Sequence, residues 1–155
     1  MCKRLMAVML TVGLMFVLCG CGEQHVAVWG LAGSNLDSPD NEYTLRAGLC
    51  DHQVEAGVES SYIGVGGLNQ SYGAYALYHL EGDSKSLLGK PYLGYHASVG
   101  DSEDGSIYGP VIGTVYWEIF VVEVQPFQSY SGRLADLLND ENDEHKIFTG
   151  VKIEF

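Results

Sequence analysis

Apolar and polar residues alternate with a period of two along much of this chain, and this pattern limits what the chain can fold into. In segment 53–60, Val54 and Val58 would share one face of an extended strand, and the glutamates would lie on the other. Segment 72–80 alternates in the same way. The last ten residues alternate most cleanly, because one face carries Ile147, Thr149, Val151, Ile153 and Phe155. A period of two over such lengths predicts half-buried β-strands.

The alternating segments predict eight strands, at residues 25–33, 43–50, 53–61, 72–81, 91–99, 111–117, 119–128 and 146–155. Of the joins, 51–52 is tight, 82–90 is intermediate, and four are long, at 34–42, 62–71, 100–109 and 129–145. Alternating long and short joins are typical of an up-and-down barrel with one elaborated rim. After Gly113, segment 111–128 has no Gly, Asn or Asp to mark a turn, so seven strands are the alternative. The helix candidate, 132–139, lies inside the longest join.

We therefore predict an all-β fold, a small antiparallel up-and-down β-barrel of about eight strands, with a soluble β-sandwich or barrel as the alternative. Twenty glycines and ten tyrosines among 155 residues agree with a β-rich chain. A soluble barrel would turn its apolar face inward, whereas a membrane barrel would turn it outward. Glu55 and Glu59 distinguish the two, because they would face solvent in the first and line a polar interior in the second.

Three features favour the membrane barrel. The alternating residues that lead to Phe155 resemble the C-terminal signature of outer-membrane barrels. With eight antiparallel strands, the N-terminus and the C-terminus of the domain lie at the same end of the barrel. Aromatic residues also lie near predicted strand ends, where interfacial girdles occur in such barrels: Trp29, Tyr43, Tyr62, Tyr72, Tyr92, Tyr108 and Trp117.

The N-terminal segment has the form of a secretory signal. Lys3 and Arg4 precede an uncharged apolar run at 5–18, which is followed by small residues. Fourteen residues would span about 21 Å as a helix, less than the roughly 30 Å of a bilayer core. A permanent transmembrane helix is therefore the weaker interpretation.

The segment Leu18-Cys19-Gly20-Cys21 resembles the lipobox of bacterial lipoprotein precursors, although Cys19 occupies a position that usually holds Ala, Ser or Thr. The resemblance implies cleavage before Cys21 and attachment of lipid to that residue, with no Asp following it. In a Gram-negative host, this implies sorting to the outer membrane. We predict a signal peptide at 1–20, a lipid-anchored tether at 21–24 and one β-barrel domain at 25–155. An ordinary secretory signal is the alternative.

Charge and cysteine content exclude several classes of function. Without the predicted signal, the chain keeps six basic and twenty acidic residues, a net charge of about −14, which argues against nucleic acid and anionic lipid headgroups as partners. Cys2 and Cys19 would leave with the signal and Cys21 would carry lipid, so Cys50 is the remaining thiol. We therefore predict neither a disulfide framework nor a cysteine metal site. If Cys21 is not lipidated, it is free to pair with Cys50.

His96 and Ser98 are the catalytic candidates, because residues two apart on a strand point to the same face and a histidine can activate a serine nucleophile. His96-Ala97-Ser98 resembles the His-x-Ser element of the outer-membrane lipid A deacylases, which are eight-stranded barrels. That family has Asn after the serine, where this chain has Val99, and places the pair near the C-terminus. Glu118 is the candidate acidic partner of His96.

Two acidic clusters, 101–105 and 140–144, offer oxygen ligands for Ca²⁺. The first departs from a calcium loop, because Gly105 and Ile112 occupy ligand positions. We interpret both as solvated loops. The five histidines lack metal-ligand spacing, so no metal or cofactor is predicted.

Three functions follow from these observations. The first is a non-enzymatic outer-membrane lipoprotein, structural or surface-interacting, held by lipid on Cys21 and surrounded by outer-membrane lipid. The second is a soluble, lipid-anchored barrel that binds a small apolar ligand. The third is an envelope hydrolase that uses His96 and Ser98.

Overall fold

A computed structural model describes residues 24–36, 41–51, 53–63, 69–100, 106–128 and 144–155. Eight β-strands make up most of this part of the chain: β1 (His25–Asn35), β2 (Asn41–Asp51), β3 (Val54–Ile63), β4 (Asn69–His79), β5 (Lys90–Gly100), β6 (Ser106–Tyr116), β7 (Phe120–Gln128) and β8 (Glu144–Glu154). The described part contains no helix long and apolar enough to cross a membrane.

The eight strands close into one antiparallel barrel. Each strand pairs with its neighbours in sequence, and β8 returns to pair with β1 from Ala27↔Glu154 to Asn35↔Lys146. Closure gives every strand two partners and leaves no free sheet edge. The prediction of an eight-stranded up-and-down barrel is confirmed.

The turn between β6 and β7 explains how segment 111–128 divides into two strands. Trp117 and Glu118 adopt positive φ angles of 50° and 65°, and the Ile119 amide donates to the Tyr116 carbonyl at 3.0 Å. The left-handed conformation costs a non-glycine residue about 1–2 kcal/mol. A hydrogen bond to the join between β4 and β5 also stabilises the turn, since the Trp117 amide donates to the Ser84 carbonyl at 2.8 Å. Tertiary contact thus makes a turn that no local residue preference marks.

The joins alternate between two rims. The ends of the described chain and the joins 52–53, 80–89 and 117–119 lie at one end of the barrel, which we call the terminal rim. The joins 36–40, 64–68, 101–105 and 129–143 belong to the other end, the distal rim. The predicted contrast in length is weaker than expected, because the strands extend further than the alternation showed. Join 80–89 is longer than three of the four distal joins.

Several predicted features lie outside the described residues. These are the signal at 1–20, Cys21, the helix candidate at 132–139 and the acidic cluster at 101–105, together with nearly all of the cluster at 140–144.

Glycines make room for the largest side chains inside the barrel. The ring of Tyr92 lies against Gly113, and the ring of Phe148 lies against Gly33, so closely that a methyl group on either glycine would overlap the ring. Both aromatic residues are almost fully buried. An eight-stranded barrel has an interior that side chains just fill, and these contacts show how this barrel is filled.

Candidate functional site

The inside of the barrel is largely polar and charged. Buried, inward-facing side chains on seven of the eight strands include Glu42, Thr44, Arg46, Glu55, Glu59, Ser61, Ser71, His79, His96, Ser98, Glu123, Gln125, Lys146 and Lys152. A buried charge is tolerated when it is paired and hydrogen bonded. The ion pairs and hydrogen bonds fall into three groups along the interior.

The first group, the central cluster, consists of Arg46, Glu59, Tyr92, His96 and Glu123. The Arg46 guanidinium donates to both carboxylate oxygens of Glu123, at 2.6 and 3.0 Å, and its Nε donates to Glu59 at 3.0 Å. The Tyr92 hydroxyl donates to Glu123 at 2.8 Å, and His96 Nδ1 lies 2.7 Å from Glu59. One cation therefore joins β2 to β3 and, across the barrel, to β7.

The second group, the Glu55 cluster, consists of Trp29, Glu55, Tyr75, His79 and Lys152. The indole of Trp29 and the hydroxyl of Tyr75 both donate to Oε1 of Glu55, the latter at 2.8 Å. His79 Nε2 and Lys152 Nζ lie 3.1 and 2.9 Å from Oε2. Both oxygens of this fully buried carboxylate are thus engaged, and side chains from four strands meet there.

The third group lies towards the distal rim. Lys146 on β8 donates to Glu42 on β2 at 2.7 Å, and the hydroxyls of Thr44 and Ser61 are 2.7 Å apart. The Glu42 side chain keeps 9% of its surface exposed, whereas those of Arg46 and Glu123 keep none. The ion pair at the rim is therefore better hydrated than the central one.

Chemically, this interior behaves as a plug made of the barrel's own side chains. Trp29 and Tyr92 pack edge to face with ring centroids 5.5 Å apart, and they connect the Glu55 cluster to the central cluster. Removing one partner of such a network leaves an uncompensated buried charge, which costs about 3–5 kcal/mol. The arrangement favours rigidity and leaves the middle of the barrel filled.

The outside of the barrel has the opposite character. Its strand positions carry large apolar side chains that are 38–59% exposed, among them Val26, Val28, Leu45, Val58, Leu93, Val99, Ile112, Val122, Val124, Val151 and Ile153. These residues occur on seven of the eight strands and surround the sheet. Soluble monomers rarely expose contiguous apolar patches above a few hundred Å². A belt of this extent is typical of a surface that contacts lipid or another protein.

Aromatic side chains flank this belt at both rims. Tyr43, Tyr62 and Tyr72 are exposed towards the distal rim, while Trp117 and Phe120 are exposed at the terminal rim. The predicted girdle was wrong for two residues, Trp29 and Tyr92, which are 0% and 1% exposed inside the barrel. Their polar atoms explain the difference, because the indole NH and the phenol OH each bind an interior carboxylate.

The structure places His96 and Ser98 together on the inner face of β5, as their spacing predicts. They are only 6% and 4% exposed, so an acyl substrate would have to enter the barrel to reach them. The carboxylate beside His96 is Glu59, not Glu118. Glu118 lies in the exposed β6–β7 turn at the terminal rim, so that candidate partner was wrong.

Several of the buried charged residues can be predicted from the alternating pattern of the sequence. Glu55 and Glu59 were identified as a possible polar interior, whereas Arg46, Glu123 and Lys152 were not. Both strands carry the pattern of a charge on the inner face. Arg46 lies between Leu45 and Ala47, and Glu123 lies between Val122 and Val124. The pairing of Arg46 with Glu123, 77 residues away, has no such local signal.

Comparison with known proteins shows the fold. No protein-family model matches the chain, and no curated protein matches it in sequence. A solved structure described as de novo design of transmembrane β-barrels is 10% identical, with a TM-score of 0.56 over 84% of this chain and 95% of that one. The solution NMR structure of de novo designed TMB2.3 is 14% identical, with a TM-score of 0.57 over 86% of this chain and 96% of that one. The chain is thus an eight-stranded antiparallel β-barrel that resembles designed transmembrane barrels.

Proposed function

We propose that this chain is a lipid-anchored β-barrel of the bacterial outer membrane, with a structural or surface-interacting role and no catalytic activity. One observation carries the proposal: the barrel buries its charged side chains and exposes its large apolar ones. In water this distribution is unfavourable on the outside, because each half-exposed apolar side chain forgoes part of the about 1.5–3 kcal/mol that full burial provides. In a bilayer the same side chains would be solvated by acyl chains.

The dimensions of the strands agree with a spanning orientation. The strands contain 9–11 residues, and a tilted strand needs about 9–11 residues to cross a bilayer. Closure gives every strand two hydrogen-bonded neighbours, as a sheet in the hydrocarbon layer requires. The shortest of these pairings joins Ile112–Tyr116 of β6 to Phe120–Val124 of β7. The designed barrel with a TM-score of 0.56, which is described as transmembrane, supports the proposal at the level of the fold.

The interior argues against the alternative of a barrel that binds a small apolar ligand. Arg46, Glu59 and Glu123 occupy the middle of the barrel with side chains that are 0–1% exposed. An apolar ligand placed there would separate charges from their partners, and unpaired buried charges are expensive. The same filling argues against a wide channel, so we assign the barrel a supporting role.

The surface role is assigned to the distal joins. The segments 36–40, 64–68, 101–105 and 129–143 contain nine acidic residues and one basic residue, Arg133. Short or long joins on a rigid barrel are where binding functions commonly lie. Such a concentration of negative charge suits cationic partners at the outer surface.

The lipid anchor fits the topology of the barrel. Cys21 is four residues before His25, the first residue of β1 at the terminal rim, and four extended residues reach about 14 Å. A lipid on Cys21 would therefore enter the leaflet beside the terminal rim. The acidic distal joins would then lie on the opposite side of the membrane.

The experiment that tests this proposal separates the barrel from its anchor. Two forms are expressed in a Gram-negative host: the full chain, and residues 22–155 behind a cleavable secretion signal, which removes the lipidated cysteine. We expect both forms to stay in the outer-membrane fraction after alkaline carbonate extraction and to show heat-modifiable gel migration. We also expect only the full chain to incorporate radiolabelled palmitate.

Two results would contradict the proposal. Release of the 22–155 form as a soluble, folded monomer would show that lipid alone holds the protein and that the barrel does not span the membrane. Absence of palmitate from the full chain would remove the anchor and leave the barrel. The membrane-spanning barrel and the lipid anchor are therefore tested independently of each other.

A further inference from the structure

Three potential metal ligands meet inside the terminal rim. Cys50 on β2 and Glu55 on β3 are directly paired across the two strands, and both point inward. His79 on β4 reaches the same place, with Nε2 3.1 Å from Glu55 Oε2. One ligand atom from each residue lies within 4.8 Å of the other two, and all three residues are buried.

The chemistry of this set suits a borderline-soft cation. Thiolate sulfur, imidazole nitrogen and carboxylate oxygen are the ligands of zinc in proteins, and zinc bonds of about 2.0–2.3 Å place tetrahedral ligand atoms roughly 3.3–3.8 Å apart. The present separations are at most 4.8 Å. Side-chain rotation has to shorten the longest of them by up to roughly 1–1.5 Å to reach this range. Three protein ligands leave a fourth position for water.

A second observation points to the same place. The Nδ1 atom of His79 is buried, and no group in the described part of the chain hydrogen bonds to it. Buried polar atoms without a partner are rare. The ring of His79 is therefore not held by a complete set of hydrogen bonds. Nε2, the ring nitrogen beside Glu55, can exchange its contact with that carboxylate for a bond to a cation that both groups share.

Solvent reaches this region through the terminal rim. A cavity of about 700 Å³ opens there, and its lining includes His79, the lysines Lys90 and Lys152, and the acidic residues Asp83, Glu118 and Glu154. Three carboxylates against two ammonium groups leave the lining slightly negative, which favours cations over anions. The sequence predicts no metal site, because Cys50 is the remaining thiol and the histidines lack metal-ligand spacing. A mixed set drawn from three strands has no such local signal.

We propose that Cys50, Glu55 and His79 form a Zn²⁺ site, and that Lys152 competes with the metal for Glu55. The Lys152 ammonium lies 2.9 Å from Glu55 Oε2 and also pairs with the more exposed Glu154. On metal binding, the ammonium moves fully to Glu154, and the Cys50 thiol exchanges its S–H bond for a bond to zinc and releases the proton to solvent. The site does not depend on membrane insertion.

The test uses Co²⁺ as a spectroscopic substitute for Zn²⁺. The full chain, with Cys2, Cys19 and Cys21 changed to Ser so that Cys50 is the one thiol, is folded in detergent and checked by heat-modifiable migration. We expect one equivalent of Co²⁺ to produce a thiolate-to-cobalt charge-transfer band, and Zn²⁺ but not Mg²⁺ to abolish it. Cys50→Ser should remove the band, and His79→Gln should weaken binding by about tenfold or more. His96→Gln, which alters a buried histidine of the central cluster, should leave the band unchanged.

Lys152 gives the sharper comparison. Lys152→Met should increase Co²⁺ affinity severalfold, because the competing ammonium is gone. Lys146→Met, which removes an interior lysine at the distal rim, should not change the affinity. Equal affinities in the Lys152→Met and Lys146→Met proteins would overturn the role of Lys152.

A final measurement needs no substitution in the proposed site. Saturating Zn²⁺ should slow alkylation of Cys50 by a maleimide in the folded protein, whereas Mg²⁺ should not. An unchanged alkylation rate, or the lack of a charge-transfer band in a protein that shows heat-modifiable migration, would overturn the zinc site. Neither result would affect the proposed membrane barrel.

Discussion

The inner face of this barrel carries charged side chains and the outer face carries apolar ones, although alternate residues of the same strands make both faces. On β3, Glu55 and Glu59 are 0% and 4% exposed, whereas Val54 and Val58 are 43% and 46% exposed. A barrel that folds in water would be expected to reverse these positions. Alternation therefore specifies two faces, and the surroundings of the sheet decide which face is a stable exterior.

The two faces also differ in how their residues stabilise the fold. Inside, stability depends on specific partners, since Arg46 joins Glu59 and Glu123 with well-oriented hydrogen bonds. Outside, it depends on solvent, because side chains such as Leu45 and Ile112 contact whatever surrounds the barrel. Substitutions inside should therefore act in any folding medium, and substitutions outside should act according to the medium.

The largest effect is expected from breaking the central cluster. Arg46→Met should lower the free energy of unfolding by about 3–5 kcal/mol, because two carboxylates remain buried without their shared cation. Urea unfolding of the detergent-folded protein, followed by tryptophan fluorescence, measures the loss. A triple variant that adds Glu59→Gln and Glu123→Gln should recover much of it. A loss below about 1 kcal/mol would mean that the cluster behaves like a solvated surface pair.

A smaller effect, dependent on the medium, is expected on the outer face. Val58→Arg near the middle of β3 should cost about 2–4 kcal/mol in lipid vesicles, because the charge would lie at the bilayer midplane. Tyr43→Arg, towards the distal rim, should cost only about 0–1 kcal/mol. The measurement is urea unfolding in vesicles of defined thickness. Equal and small costs at both positions would indicate that the belt faces water.

The smallest effect compares a glycine on each face. Gly113→Ala should cost about 1–3 kcal/mol, because the added methyl overlaps the ring of Tyr92 and lies 2.8 Å from the Val122 carbonyl oxygen. Gly30→Ala on the outer face should cost nothing measurable, since its methyl meets only Leu45 and Val151 at 4.0 Å. Thermal unfolding of the two variants side by side makes the comparison. Equal stabilities would show that Tyr92 has room to move.

Much of the fold was predictable because alternation is a local property. All eight predicted strands overlap the observed ones, and the largest difference is at β6, which was predicted to begin at 111 and begins at Ser106. The division between β6 and β7 had no local turn signal. Trp117 and Glu118 are poor residues for a left-handed turn, so composition did not mark it. The turn forms because β6 and β7 must each complete the barrel, and the contact with Ser84 supports it.

The interior was predictable only in part. Period two assigned Glu55 and Glu59 to one face, but the positions of Trp29 and Tyr92 near strand ends suggested a girdle. Their positions in the alternating pattern place the side chains of Trp29 and Tyr92 inside the barrel, where Glu55 and Glu123 accept their hydrogen bonds. An aromatic residue with a polar atom suits either environment, so residue type did not separate the two.

The local pattern of residues is enough to predict that this chain forms strands, roughly where they lie and which residues share a face. Backbone geometry sends successive side chains to opposite sides, and this is readable from neighbouring residues alone. The tertiary structure decided that the polar face is the buried one and that Arg46 meets Glu123. It also brought Cys50, Glu55 and His79 together. These outcomes depend on how eight strands close and in what register, which no single segment of the chain contains.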